Sequence, residues 1–291
     1  MWFLSFLTRT IGPMMTKTAS DYTFETLSPS RASDFKVCPQ LFKFKAIDRI
    51  ETPPTVFQAR GTTAHLALQR LFDLPGSERT PDRLYDLFRR AWVELKPEGY
   101  ADLFDSIDDE RTWGVDSLEI LANYFGVEDP TAFEPLDREL DMSESVGSMT
   151  IRGILDRIDE RGADLVITDY KTGKAPPERY ALSAFFALKI YGLLIRIRTG
   201  RTPTALRLIY LNGPTVYEIP VNDAQLDAME RQLEALWAAI ERALEREHFP
   251  PRPGPLCNWC SYQELCPAWA SDDDTSGREG TPRPAQPAIV G

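Results

Sequence analysis

The sequence predicts a mixed α/β fold, a β-sheet core flanked by helices, from three observations. Two β-prone runs at 149–158 and 165–170 read as a hairpin. A second strand pair, 205–211 and 215–221, closes around Asn212-Gly213-Pro214. Apolar residues at spacings of three and four mark helices before, between and after the strands. Taking the chain in order, Ser28 and Ser30 are N-cap types and Pro39 is a stop, so 27–39 reads as a capped helix with Cys38 at its end. Phe42, Phe44, Ile47 and Ile50 alternate with Lys43, Lys45 and Arg49, an amphipathic segment whose basic side could meet phosphate. The run 61–72 reads as a helix with His65, Leu68 and Phe72 on one face. Taken alone, a histidine there is ordinarily a hydrogen-bonded core residue. Helical patterns at 81–95 and 111–125 place a helical insertion or lobe over 75–129. The segments 133–142 and 149–158 switch to strand patterning, with a turn expected over 159–164. One long buried helix is predicted over 177–198 and an amphipathic one over 223–246, led by Leu226, Met229, Leu233, Leu236, Ile240 and Leu244.

The expected organisation is a single domain over 25–270, between a disordered extension at 1–24 and a polar, Pro/Gly-rich disordered tail at 271–291. The apolar start lacks a basic n-region and is too short to span a bilayer. No later stretch is expected to be long and apolar enough either, so a cytoplasmic location and no membrane partner are expected. The net charge of −11 would argue against nucleic acid. Its distribution reverses that argument. Residues 73–144 hold 7 Lys and Arg against 20 Asp and Glu, whereas 171–207 hold 8 basic residues and Glu178 alone among acids.

The hairpin carries the chemistry. Asp169 and Lys171 are two apart on a strand and share a face, roughly 7 Å apart at their bases. Asp156 on the neighbouring strand could bring a second carboxylate across, and two carboxylates suit a hard divalent cation such as Mg²⁺. A lone D-x-K on an exposed hairpin is also common by chance. The four cysteines are Cys38 and the C-x2-C-x5-C run of Cys257, Cys260 and Cys266. Three ligands at one end leave a metal centre incomplete, and Cys38 is the remaining thiol, so recruiting it would fasten the start of the fold to its end. Zinc held by four thiolates and a four-iron cluster both satisfy the count. The C-x5-C gap leans to iron–sulfur.

Together these residues resemble the RecB-type branch of the PD-(D/E)XK nuclease superfamily, including iron–sulfur members such as CRISPR-associated adaptation exonucleases and AddB-type nuclease domains. The resemblance rests on His65 in RGTTAHLAL, Asp156 in GILDRID, Asp169 and Lys171 in DYKTGK, and the four cysteines, over about 27–269. It implies a restriction-endonuclease-like sheet core with a C-terminal iron–sulfur clasp over 254–269 plus Cys38. It further implies that His65, Asp156 and Asp169 bind a catalytic Mg²⁺ or Mn²⁺ with the Tyr170 carbonyl, that Lys171 orients the attacking water, and that the cysteines hold a structural 4Fe-4S cluster. Tyr191 matches the tyrosine of the family's Gln-x-x-x-Tyr motif, but Ala187 stands where the glutamine is expected.

The expected function is a metal-dependent DNA exonuclease acting on single-stranded ends in repair, recombination or processing, with the basic stretch 171–207 holding the backbone. Gly173-Lys174 is followed by Ala175, so no phosphate-binding GxxxxGK[ST] loop is formed. A helicase or recombination partner would be a separate chain. Two other readings stay open: a cleavage-impaired iron–sulfur DNA-binding or assembly module, and a zinc-stapled scaffold.

Overall fold

The computed structural model describes residues 26–269, so the extension and tail expected to be disordered lie outside the described residues. The described residues build a six-stranded mixed sheet of β1 (Thr26–Leu27), β2 (Asp137–Val146), β3 (Met149–Arg161), β4 (Asp164–Lys174), β5 (Ala205–Asn212) and β6 (Thr215–Pro220). β2, β3 and β4 run antiparallel in sequence, joined by two-residue turns in which Gly147 and Gly162 take φ of +56° and +67°. Such left-handed angles match the twist of a tight hairpin and favour glycine. The turn expected over 159–164 is therefore shorter, because Glu160 and Arg161 continue the ladder opposite Leu165 and Asp164. β4 and β5 are parallel, and β6 returns antiparallel beside β5.

Helices cover both faces. α1 (Pro29–Val37) starts at Ser28, whose hydroxyl accepts the Arg31 N–H, and gives way at Cys38 to α2 (Pro39–Phe42), which continues as a π-turn over Lys43–Ile47. α3 (Val56–Leu71), α4 (Pro81–Leu95), α5 (Ile107–Ala122) and the short α6 (Tyr124–Val127) precede β2. α7 (Glu178–Ala184) and α8 (Phe186–Thr199) connect β4 to β5, and α9 (Asp223–Glu245) follows β6. The single helix expected over 177–198 is thus two, broken at Phe185, whose ring is buried. By length and composition Glu178–Thr199 would be apolar enough to cross a membrane, which corrects the expectation that no such stretch exists. Its apolar surface is used inside the fold: Leu188, Ile190, Leu193 and Leu194 are at most 1% exposed.

Two cores result. On one face Phe42, Leu155, Ile167, Leu194, Leu208 and Leu233 join α1, α2, α8 and α9 to the sheet. On the other, Leu68, Leu84, Trp113 and Tyr124 from the helices before β2 pack on Tyr170, Ile209 and Leu211. The segment expected as an insertion or lobe thereby supplies a layer of the structure. β5 alternates between the two cores, with Leu206, Leu208 and Tyr210 in one and Ile209 and Leu211 in the other. A strand covered on both faces needs such continuous hydrophobicity.

Candidate active site

The site forms where the central hairpin opens. β3 and β4 pair from Arg161/Asp164 as far as Arg157/Thr168 and then separate. The next residues in that register are Asp156 and Asp169. Beyond the fork β4 continues beside β5, while β1 pairs with β3 at Thr150 and Ile151. The Asp156 carboxylate stands in for a ladder carbonyl, accepting the Tyr170 N–H at 2.8 Å through Oδ2. The facing of β3 also slips here. Leu155 and Ile158 both enter the first core, and Arg157 turns to the opposite layer beside Phe133 and Tyr170. A one-residue slip of this kind re-aims a side chain out of the regular alternation.

Opposite Asp156, β2 is irregular as well. The β2–β3 ladder pairs Arg138 with Arg157 and Leu140 with Leu155, and Glu139 between them is skipped, with φ of +46°. For a non-glycine residue this angle is strained and marks a position to examine for function. The kink sends its carboxylate to the group the sequence reading missed: one ligand atom each from His65, Glu139 and Asp156 lie within 4.8 Å of one another. No other His, Cys, Asp or Glu group of that size occurs among the described residues. Imidazole and two carboxylates are a donor set for a divalent ion of the Mg²⁺, Mn²⁺ or Zn²⁺ kind. Burial, then repulsion from Asp156, raises the Glu139 carboxyl above its ordinary range.

His65 comes from α3 in the second layer. Its Nε2 lies 3.0 Å from the Tyr170 carbonyl oxygen and its Nδ1 3.3 Å from Asp156 Oδ1. The ring thus bridges two of the oxygens that the family resemblance gives it as co-ligands. Burial would lower the pKa of the imidazole, but Asp156, then Asp169 and Glu139, outweigh it and raise the value to about 9. Asp169 is held differently. Its Oδ2 sits 2.6 Å from Lys171 Nζ, and burial together with repulsion from Asp156 pushes its carboxyl up to about 6 despite that ammonium. For Lys171, burial acts to lower the pKa, and the Asp169 carboxylate reverses this to a net rise.

Tyr170, between these two, ties the site to a buried charge cluster. Its hydroxyl accepts from Arg157, a side chain only 1% exposed. Arg157 also makes two 2.8 Å bonds to Glu128 and bonds of 3.1 and 2.9 Å to Asp159 Oδ2. Arg207 joins through Glu128. Two cations and two anions therefore pair within one mostly buried cluster, in which Asp159 Oδ1 and Arg207 Nε are left without a hydrogen-bond partner among the described residues. Through Tyr170 they fix the backbone that presents Asp169 and Lys171.

Tyr191 reaches the fork from the first layer, on α8. Burial, then Asp156, Asp169 and Glu139, raises its phenol pKa. Its ring lies over Gly153, where an added β-carbon would fall 2.8 Å from Tyr191 Oη and 2.9 Å from Cε1. Gly153→Ala must therefore displace Tyr191 or bend β3, and a loss of about 1–3 kcal/mol in urea unfolding is expected. Ala187 lies one turn before Tyr191 on α8. Along α3, an open cleft of about 570 Å³ runs from the site, with His65 and Glu139 in its lining.

The basic stretch 171–207 does not form the free cationic face expected of it. Besides Lys171, Arg196 pairs with Asp227 and Glu230, Arg198 with Glu144, Arg201 with Glu160 and Arg207 with Glu128. Lys174, Arg179 and Lys189 make no ion pair among the described residues. Lys43 and Lys45 are likewise engaged, by Asp48 and Asp34. Two of these cations, Arg198 and Arg207, are reached by acids of the 73–144 block, Glu144 and Glu128, through the fold.

The cysteines do not gather into an ion-sized group among the described residues. Cys38 is nevertheless beside the C-terminal segment. The Cys38 thiol accepts the Arg252 N–H at 3.3 Å, and the Cys257 thiol accepts the Gly254 N–H at 3.3 Å. Phe249 stacks on Phe42 at 6.3 Å between centroids, Tyr262 on Phe44 at 5.4 Å, and the Tyr262 hydroxyl donates to the Ile50 carbonyl. The two ends of the described chain are fastened by these contacts. All four thiols are partly exposed.

Comparison with known proteins gives consistent matches over this whole region. The family described as the PD-(D/E)XK nuclease superfamily matches residues 26–267. The Gene 69 protein of Mycobacterium phage D29 is 22% identical over 266 residues, covering 83% of this chain and 96% of the phage protein. A crystal structure from Eubacterium rectale, named "Putative exonuclease", superposes with a TM-score of 0.51 at 16% identity, over 92% of this chain and 97% of that one. That likeness is one of fold, and the six-stranded mixed sheet between helices agrees with a restriction-endonuclease-like core.

Proposed function

The chain belongs to the PD-(D/E)XK nuclease superfamily, and from that premise we propose that it is a metal-dependent DNA exonuclease of the RecB type, hydrolysing phosphodiester bonds at single-stranded ends. The observation that carries this reading is the meeting of His65, Glu139 and Asp156 within 4.8 Å beside the Asp169–Lys171 pair. His65, Asp156 and Asp169, with the Tyr170 carbonyl and now Glu139, are the residues that would hold Mg²⁺ or Mn²⁺. Such an ion, when bound, supplies Lewis-acid polarisation of a phosphoryl oxygen and lowers the pKa of bound water.

The chain's own groups have separable roles. Lys171 holds its ammonium against Asp169 Oδ2 and, being partly exposed, can turn to a phosphate oxygen or the attacking water. Asp156 orients two groups at once, the His65 ring through Oδ1 and the Tyr170 N–H through Oδ2. Tyr191 closes the fork from the first layer and presents a phenol to the acids. Backbone phosphates would be met by Lys174, Arg179 and Lys189, the cations of 171–207 left without an internal anion, instead of the whole basic stretch. In the presence of Mn²⁺, end-labelled linear single-stranded DNA should be degraded progressively. EDTA should stop this, and a strand that survives undiminished at high enzyme would refute the activity.

We also propose that Cys38, Cys257, Cys260 and Cys266 hold a structural 4Fe-4S cluster that clasps the fold. The docking of Phe249 on α2 and of Tyr262 on the π-turn after it, and the N–H groups directed at two of the thiols, support it. Protein purified without oxygen should be brown, with iron and acid-labile sulfide in equal amounts. Stoichiometric zinc without sulfide would assign the thiols to a scaffold metal.

A further inference from the structure

The cleft beside the site has a composition unlike that of a phosphate groove. It measures about 570 Å³ and is lined by Gln58, Gly61, Thr62, His65, Leu66, Gln69, Leu95 and Glu139, with no lysine or arginine among them. A channel that tracks a sugar-phosphate backbone needs cations along its length. This one offers the Gln69 amide, the NH2 group of Gln58, whose Oε1 already accepts from Thr55, the Thr62 hydroxyl, which accepts from Tyr100, and leucine surface from Leu66 and Leu95. Those are groups that take up a neutral, partly apolar and hydrogen-bonding body, and the volume falls in the range of small-molecule sites. The Gln69 side chain makes no other hydrogen bond among the described residues, so its amide is available.

Position supplies the rest of the argument. His65 and Glu139 belong both to the ion-sized group and to the cleft lining, so the two spaces are continuous. The face of α3 that bears His65 carries Gln58, Thr62 and Gln69 one or two turns to either side. A β-carbon at Gly61 would meet only Thr172 Oγ1, at 3.7 Å, so a methyl is accommodated there and only a larger side chain would intrude. We propose that this cleft is the terminal-nucleoside subsite: with the scissile phosphate at the acids, the last nucleoside of the strand lies along α3, its base against Leu66 and Leu95 and its polar edge toward Gln69 and Thr62. The inference rests on the nuclease reading and deepens it, because it names the part of the strand that lies next to the scissile phosphate. Hydrogen bonding by amides that can donate and accept accommodates any base, so no sequence preference accompanies it.

The test is equilibrium binding, which does not depend on hydrolysis. Saturation-transfer NMR in EDTA should detect binding of thymidine and of thymidine 5′-monophosphate to the wild-type chain, with inorganic phosphate failing to compete for thymidine. Gly61→Leu fills the cleft from its floor and Leu95→Trp from its wall, and each should weaken thymidine binding at least tenfold. Gly61→Ala, whose methyl meets only ordinary contact, should bind like wild type. Absence of thymidine binding to the wild type, or equal binding by folded Gly61→Leu and Leu95→Trp, would overturn the subsite. The same preparation assayed with Mn²⁺ on linear and circular single strands separates the two claims. Nucleoside binding without cleavage faults the reaction and supports the pocket, whereas degradation of the linear strand with the circle spared and no nucleoside binding faults the pocket alone, and equal cutting of both strands faults the exonuclease reading itself.

Discussion

Asp169→Ala is expected to reduce Mn²⁺-dependent release of nucleotides from a labelled single strand by at least about 10²-fold, the scale on which losing one preorganised charge costs an active site. The reason is the arrangement at the fork. Asp169 sits opposite Asp156 just past the last rung, and it is the group that holds Lys171, at 2.6 Å. Removing it takes one anion from the donor set and frees the ammonium to swing away, since the Lys171 side chain is 44% exposed. Stability should move the other way or not at all. Burial and Asp156 push the Asp169 carboxyl up to about 6, so its charged form is less favourable folded than unfolded. A raised carboxyl pKa opposes folding at pH values above that range, and the opposition disappears with the side chain. In EDTA at pH 8 the variant should therefore melt no lower than the wild type. An inactive variant that melts much lower would report misfolding, and an active one would remove Asp169 from the site.

The sequence made part of this site legible and concealed part of it. The hairpin and the helix that carries His65 follow from alternation and helical spacing, which are local properties, whereas the place of His65 in the site came from the family resemblance and the match of Asp156 with Asp169 depended on register. Glu139 does not. Its strand holds acids at 137, 139, 141 and 144, and nothing in the order of residues distinguishes one from another. Tertiary structure does: Asp141 and Glu144 are taken by Arg152 and Arg198, and a left-handed kink sends Glu139 to His65. Positive φ at a glutamate has no sequence signature. The apparent charge blocks mislead for a related reason, because ion pairs such as Arg198 to Glu144 span 54 residues. The break at Phe185 is equally hidden, since the apolar run continues unbroken through it and only packing shows two helices.

Arg157 is the residue whose loss should cost the fold most. In the sequence it is one charge in GILDRIDER, beside Asp156, and resembles any solvent-facing strand residue. In the structure it is 1% exposed, with Glu128 and Asp159 on its guanidinium and the Tyr170 hydroxyl donating nothing to it but accepting from it. Arg157→Met keeps much of the volume and removes the charge, leaving Asp159 without its main cation and Glu128 with Arg207 alone. Breaking a buried pair from one side costs about 3–5 kcal/mol, because the remaining anion stays desolvated. For a chain of this size that corresponds to a fall in Tm of about 10 °C. The double variant Arg157→Met/Asp159→Asn should recover part of the loss, since it removes the orphaned charge along with its partner. The site should register the change even where the fold survives. Tyr170 keeps its ring between the layers but loses the bond that fixes its hydroxyl, and its N–H and carbonyl are the groups that meet Asp156 and His65. Mn²⁺ binding by folded Arg157→Met, measured by calorimetry, should accordingly weaken, with Tyr170→Phe reproducing that weakening at a smaller cost in stability. A loss below 1 kcal/mol together with unchanged Mn²⁺ affinity would mean that the buried cluster supports neither the fold nor the fork.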